Sequence, residues 1–208
     1  LKTYQELANT VIISTKKNRL LNYDDSLELV GTGRSAFAFR IKFSNKAIKI
    51  FFPDFTHVAK EEAEIYHTLQ NISYFPTIYE SGQNYIVMDF IEGRTLYECI
   101  NHGVSITTDH INEIDAALLT ASNRGLNPSD IHLRNIIITP NQEIKLIDVA
   151  RFRQTKDCTQ WHDLKLVYHQ LYLKRFFPKK IPTTMLNIMA FLYKKHLLPS
   201  YLSSSKMG

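Results

Sequence analysis

An α+β fold is predicted for this chain, strands gathered toward the N-terminus and helices beyond them, and two patterns carry that expectation. Residues 29 to 50 read Leu-Val-Gly-Thr-Gly-Arg-Ser-Ala-Phe-Ala-Phe-Arg-Ile-Lys-Phe-Ser-Asn-Lys-Ala-Ile-Lys-Ile. These are β-branched and aromatic runs parted by small or turn-forming residues, which is how consecutive antiparallel strands read. From residue 108 onward apolar residues instead recur at steps of three and four, the period of a helix with one buried face.

Taken in order, the elements are strands at 27–32, 36–43 and 46–51, then a helix near 56–70. On that helix Val58, Glu62, Ile65 and Leu69 share a face. A carboxylate turned toward a core is costly unless paired, and Lys49 on the neighbouring strand is the available cation. Glu61 and Glu64 fall on the solvated side. Tyr85-Ile86-Val87-Met88 reads as a further strand and Asp89-Phe90-Ile91-Glu92-Gly93 as a link out of the sheet. The helix at 108–123 presents Ile111, Ile114, Leu118 and Ala121 and stops at Gly125, a left-handed cap. Helices near 160–173 (Leu164, Val167, Tyr168, Leu171, Tyr172) and 183–197 (Leu186, Met189, Phe191) read as packing elements. Trp161 reads as a core anchor, and Ser203-Ser204-Ser205 as a frayed tail.

Between the helices lies the segment that suggests chemistry. Residues 135 to 148, Asn-Ile-Ile-Ile-Thr-Pro-Asn-Gln-Glu-Ile-Lys-Leu-Ile-Asp, are two β-branched runs around the turn formers Pro140-Asn141-Gln142, so they form a hairpin. Its midpoint, 141.5, lies in the turn. An antiparallel ladder about that point places Asn135 and Asp148 side by side at the open end, an oxygen pair suited to a hard cation. Asp130, on the incoming loop, reaches the same place from outside the metal shell.

Gly31-x-Gly33 followed by Ala36 and Ala38, then Ala47-Ile48-Lys49, Glu62, Asp130 with Asn135, and Asp148, taken in that order, resembles the motif series of the protein-kinase-like superfamily. The match runs from about residue 27 to 170. The resemblance implies a two-lobed protein-kinase-like fold with an antiparallel-sheet N-lobe (about 1–88), a hinge (89–93) and a reduced, mainly helical C-lobe (about 94–200) in a single domain. It implies ATP and Mg2+ as cofactors. Lys49 would hold the α and β phosphates, Glu62 would orient Lys49, Asn135 and Asp148 would hold Mg2+, and Asp130 would take or orient the proton of an attacking hydroxyl. Gly31, Gly33 and Ala36 would form the phosphate loop. Ala38, Ala47 and Ile137 would sandwich adenine, Met88 would guard the rear, and the Asp89 carbonyl and Ile91 N–H would meet the base edge. Read alone, Gly31-x-Gly33 is an ordinary hairpin turn and Lys49 a snorkelling strand lysine; it is the series around them that points to phosphate binding.

Departures from the family pattern narrow the subgroup. Asp130 follows Pro128-Ser129 where protein kinases carry His-Arg, and His132 stands where they carry Lys. His132 is open to two readings, a loop-bracing histidine or a donor to the transferring phosphoryl group. Asp148-Val149-Ala150 replaces Asp-Phe-Gly, and only a short loop separates it from Asp163, which resembles the Asp of the helix after an activation segment. This trimming is similar to compact bacterial, RIO and Bud32-like kinases, so the expected activity is that of a compact Ser/Thr protein kinase. The alternatives are a small-molecule kinase, an ATP-binding pseudokinase module and a RIO-like RNA- or ribosome-associated ATPase.

Composition agrees. With 208 residues, 44% hydrophobic and 12% aromatic, the chain buries one substantial core. It has no apolar run long enough to span a bilayer, and no signal-like N-terminus is read, which points to the cytoplasm. Cys99 and Cys158 lack metal-site or disulfide spacing. Residues 151–208 carry net charge +9 against −4 for residues 1–150. The basic part includes Arg151, Arg153 and Lys156 just after Asp148, and Lys174, Arg175, Lys179 and Lys180 around Phe176-Phe177-Pro178. An acidic protein acceptor fits that charge, nucleic acid is the less favoured partner, and no membrane partner is expected.

Overall fold

The computed structural model describes residues 2–14, 16–156 and 158–195. Two elements precede any that periodicity predicts. The helix α1 (Tyr4–Thr10) opens on a capping box in which Thr3 and Glu6 satisfy each other's backbone N–H groups. Seven residues are too few to hold a helix in water, so α1 depends on burying Leu7 and Ala8. The ribbon of β1 (Ile12–Ser14) and β2 (Arg19–Asn22) follows.

The main sheet has five antiparallel strands in the order β3-β4-β5-β7-β6: β3 (Leu27–Thr32), β4 (Ala36–Ile41), β5 (Lys46–Phe51), β6 (Ile78–Ser81) and β7 (Tyr85–Asp89). Side chains alternate along β4 and β5, so the sheet has two distinct buried faces. Phe37, Phe39, Ile48 and Ile50 pack with Leu7 and Ala8 of α1. Ala36, Phe51, Ile86 and Met88 pack on the other side with Ala59, Ala63, Ile65 and Tyr66 of α2 (Thr56–Thr68). Lys49 alternates onto this second side, which is what brings a strand lysine under the helix that carries Glu62.

Past β7, residues 89–93 lead into β8 (Arg94–Thr95) and α3 (Leu96–His102). Gly93 has φ +151°, and a Cβ there would lie 2.4 Å from the Ile138 carbonyl oxygen, so the link passes against that strand only as glycine. The helix α4 (Thr108–Asn123) buries Ile111, Ile114, Ala117 and Ala121 and ends just before Gly125 at φ +78°. A three-stranded sheet, β8 with β9 (Ile136–Ile138) and β10 (Ile144–Leu146), follows. The chain finishes with α5 (Gln160–Val167), a π-helical turn at Tyr168–Tyr172, and α6 (Thr183–Lys194).

Several expectations need correction. The second strand ends at Ile41, because Phe43 turns the chain at φ +59°. The helix expected at 160–173 passes into π geometry at Tyr168, where Tyr172 Oη accepts from Ile106 N at 3.0 Å. In α6 Leu186 is buried but Phe191 is exposed, five residues on and therefore off the inward face. The end of the 183–197 helix and the serine tail lie outside the described residues. Trp161 is buried as expected and donates through Nε1 to Asp115 at 2.7 Å. Cys99 is buried and Cys158 exposed, both free thiols.

Candidate active site

The site is assembled where the sheet, α2 and the hairpin β9–β10 meet. Lys49 lies opposite Ala38 on β4 and Ile86 on β7. Its Nζ donates to both carboxylate oxygens of Glu62, at 2.8 and 2.7 Å, and to Asp148 Oδ1 at 3.0 Å. Glu62 is 0% exposed, so the pairing expected from its place on an apolar stripe is present. One turn further along α2, Tyr66 accepts a hydrogen bond from Asp148 N at 3.2 Å through its hydroxyl. The helix thus holds both the lysine and the backbone of the hairpin's last residue. Burial alone would push the Lys49 ammonium down, but the two carboxylates beside it hold it above its ordinary value. Burial likewise tends to raise Asp148, and the Lys49 charge outweighs this, with smaller help from His132 and Arg34, so its carboxyl is held below the usual range. Glu62 is pushed up by burial, against the pull of Lys49 and with the Asp148 charge adding to the rise.

The depressed Asp148 value fixes the sign of a pH effect. Its contact with Lys49 stabilises the fold above the unfolded carboxylate pKa and is lost as pH falls through the lower folded value. A carboxyl-carbon NMR titration, assigned with Asp148→Asn, should give a midpoint below that of an exposed aspartate. A midpoint at or above it would mean that the Lys49 contact is not made in solution.

The loop before the hairpin closes on itself. Asn135 N donates to His132 O at 2.9 Å, Arg134 N to His132 Nδ1 at 3.3 Å, and the Asn135 side-chain Nδ2 to Asp130 O at 3.2 Å. His132 therefore braces the loop backbone. The hairpin register differs from expectation by one residue. Ile138 faces Ile144 and Ile136 faces Leu146, and Ile147 N donates to Asn135 O, so the axis passes through Asn141 and Asn135 sits opposite Ile147. The cause is the odd loop at residues 139–143, closed by Thr139 N to Glu143 O with Gln142 at φ +65°. Asp148 lies one residue beyond the pair, and both Asp148 and Asp130 have φ +62°.

Asp130 is held from two sides. Its Oδ2 accepts from Arg34 Nη2 at 3.0 Å and lies 3.4 Å from Arg151 Nε. Arg34 comes from the turn between β3 and β4, and Arg151 from the segment after Asp148. That turn is tight, with Gly33 N donating to Ala36 O at 2.9 Å. Ala36 faces Phe51 and is buried in the core cluster, at the end of the turn expected to form the phosphate loop. Gly31 follows a bulge in β3 and lies opposite Ala38. Ala47 lies opposite Met88. Ile137 is buried against Gly93 of the link. The Asp89 carboxylate turns back to β6, accepting from Thr77 N at 2.8 Å and Tyr79 Oη at 2.6 Å. Among the described residues no hydrogen bond ties Ile91 to the groups above.

Of the basic residues after Asp148, Arg151 reaches the site, but Arg153 does not. It pairs with Glu64 on α2 at 2.6 Å, because the segment is pinned by Asn127, whose N donates to Phe152 O at 2.6 Å and whose Nδ2 donates to Gln154 O at 2.7 Å. Among the described residues no group of three or more His, Cys, Asp or Glu is placed to hold a metal ion. The half-exposed Asp148 carboxylate and the Asn135 amide are an oxygen pair of the kind Mg2+ takes when it keeps waters and substrate phosphates as its remaining ligands. Sequence reasoning passed over Arg34 and Tyr66. The only sign of Arg34 was its place inside Gly-Thr-Gly-Arg-Ser.

Comparison with known proteins adds lineage to geometry. Residues 50–175 match the family described as the ABC1 atypical kinase-like domain. The chain is 45% identical over 206 residues, 97% of its length and 96% of the relative's, to the Bacillus subtilis (strain 168) protein named "Putative serine/threonine-protein kinase YrzF". It is also 27% identical over 173 residues to a Clostridium acetobutylicum protein named as a probable serine/threonine-protein kinase. That match covers 74% of this chain and 26% of the relative. A Lactococcus lactis protein of the same description, PknB, is 31% identical over 96 residues, 43% of this chain and 15% of the relative.

Proposed function

We propose, since this chain belongs to the ABC1 atypical kinase-like family, that it is an ATP- and Mg2+-dependent kinase transferring the γ-phosphoryl group to a serine or threonine hydroxyl of a protein. The observation that carries the proposal is the Lys49 ammonium gripped by fully buried Glu62 and shared with half-exposed Asp148. A structural ion pair would have no use for a third, solvent-facing carboxylate. Lys49 would meet the α and β phosphates, with Glu62 keeping it charged and in place. Asp148, with Asn135 through its Oδ1, would hold Mg2+, which when bound neutralises charge building on the phosphates. Asp130 would take the proton of the attacking hydroxyl as its oxygen forms the new bond to phosphorus and ADP leaves. Gly31, Gly33, Ala38, Ala47, Met88, Asp89, Ile91 and Ile137 would form the nucleotide cleft.

Incubation with labelled ATP and Mg2+, offering a generic protein acceptor and a panel of small hydroxyl compounds, tests this reading. Label should enter protein and depend on the metal. Transfer confined to small compounds would move the chain to the small-molecule kinases, and nucleotide binding without any transfer would make it a binding module. The proposed site of action is the cytoplasm; among the described residues no helix is long and apolar enough to cross a membrane.

Regulation by activation-loop phosphorylation is not expected. The segment after Asp148 is held by Asn127 and by the Arg153–Glu64 pair without any added phosphate. Activity of the bacterially produced protein should therefore survive phosphatase treatment. Loss that is restored by rephosphorylation between Val149 and His162 would refute it.

A nucleic-acid reading rests on one exposed patch, Lys174, Arg175 and the 93% exposed Phe176. Lys179 is engaged with the Tyr172 ring and carbonyl, which thins the patch. Substituting Lys174, Arg175, Lys179 and Lys180 together by Gln should leave any RNA retention unchanged at physiological salt. A drop in retention, with a shallower salt slope, would revive the RNA reading.

A further inference from the structure

We propose that the acceptor is an acidic peptide segment, and that Arg34 and Arg151 select it by exchanging their hold on Asp130 for the acceptor's own carboxylate. This rests on the protein-kinase reading above and adds the substrate's chemistry to it.

Two guanidinium groups converge on a single oxygen, Asp130 Oδ2, from elements far apart in sequence. A single oxygen serves two guanidinium groups here, and the neighbouring carboxylate, Asp148, feels Arg34 only weakly beside its direct contact with Lys49. Each guanidinium carries five N–H donors in a planar fork suited to carboxylates, and Asp130 occupies only a part of each. Arg34 and Arg151 are 72% and 48% exposed against 25% for Asp130. Both cations therefore stay open to a ligand arriving from solvent, while the aspartate between them is largely covered. The phosphate-binding charge is already supplied by Lys49, which pairs with Glu62 and Asp148. The arginines accordingly mark the acceptor side of the cleft. Exposed Lys156 continues the positive surface along the same segment.

A carboxylate one or two residues from the acceptor hydroxyl can take over the two guanidiniums, and Asp130 Oδ2 is then released to face the incoming hydroxyl. The same event positions the acceptor and unmasks the base. A neutral peptide must break the two contacts without replacing them, and a basic one must also approach like charge.

The test uses three peptides alike except for the residue following the acceptor serine, which is Asp, Asn or Lys. With the full-length protein, kcat/KM for the Asp peptide should exceed that for the Asn peptide by about tenfold, the scale of one well-formed charge-assisted contact, with the Lys peptide lowest. In R34Q/R151Q the Asp-to-Asn ratio should fall to about two or less, and in R34E/R151E the order should reverse toward the Lys peptide. Neither arginine is buried, so circular dichroism melts of the variants should match the parent. Active transfer without an acidic preference, or a preference that persists in R34E/R151E, overturns the inference while leaving the kinase reading intact. A single R34Q variant with raised KM for ATP and an unchanged Asp-to-Asn ratio assigns Arg34 to the nucleotide and also overturns it. No transfer to any peptide by the parent protein removes the protein-kinase reading, and this inference falls with it.

Discussion

Asp130→Asn is expected to bind Mg-ATP as the parent does and to lose transfer by about 10²–10⁴-fold, the usual contribution of a positioned acid–base group. The amide keeps the side-chain shape and removes the charge that takes the proton. Asp148→Ala should differ in kind. It removes a Lys49 partner and the one carboxylate of the proposed metal pair, so Mg-dependent nucleotide affinity itself should fall. Calorimetric titration with ATP, in Mg2+ and again in EDTA, separates the two. Equal loss of affinity in both variants would mean that the two aspartates do not divide binding from chemistry.

Lys49→Met should be the most destabilising substitution of the candidate-site residues. It leaves Glu62 inside the protein, 0% exposed, without the cation that faces both of its oxygens. Breaking a buried pair from one side costs about 3–5 kcal/mol, since an uncompensated charge or an energetically raised neutral acid remains. For a chain of this size that lowers the melting temperature by roughly 2–4 °C for each kcal/mol. The double variant Lys49→Met/Glu62→Leu should recover much of the loss while remaining inactive, because matched apolar groups satisfy the same space. Urea unfolding monitored through Trp161 measures both. If the single variant were as stable as the parent, the pair would not be buried as described.

These effects could be anticipated because the elements that carry them have strong local patterns. Lys49 and Glu62 were legible together: a lone carboxylate on an apolar helical stripe called for a partner, and Lys49 on the neighbouring strand was the available cation. The strands β3, β4, β5 and β7 and the helix α4 were legible for the same reason. What failed to show was structure decided by distant partners or by a single dihedral. The helix α1 is seven largely polar residues whose presence depends on Phe37 and Phe39 needing cover, and β6 and β8 are too short to carry a period. The hairpin register turned on Gln142 adopting φ +65°, which a symmetric reading of the turn cannot foresee. Arg153 pairing with Glu64, and Arg34 with Asp130, join surface charges 89 and 96 residues apart, and no periodicity announces such partners.

The left-handed backbone at Asp130 and Asp148 has a consequence for what mutation can do at these positions. Both have φ +62°, a region that costs ordinary L-residues about 1–2 kcal/mol, that Asp and Asn visit more easily, and that Gly enters freely. Two filters therefore act on each codon. A library selected only for soluble, folded protein should retain Gly, Asn and Asp at residues 130 and 148 and lose Val, Ile and Thr, whose branched Cβ fits that backbone worst. The same library selected for phosphoryl transfer should collapse to Asp alone. The replacements that arise most harmlessly for the fold are then the ones that silence it, so inactive but well-folded descendants lie a single substitution away at either position.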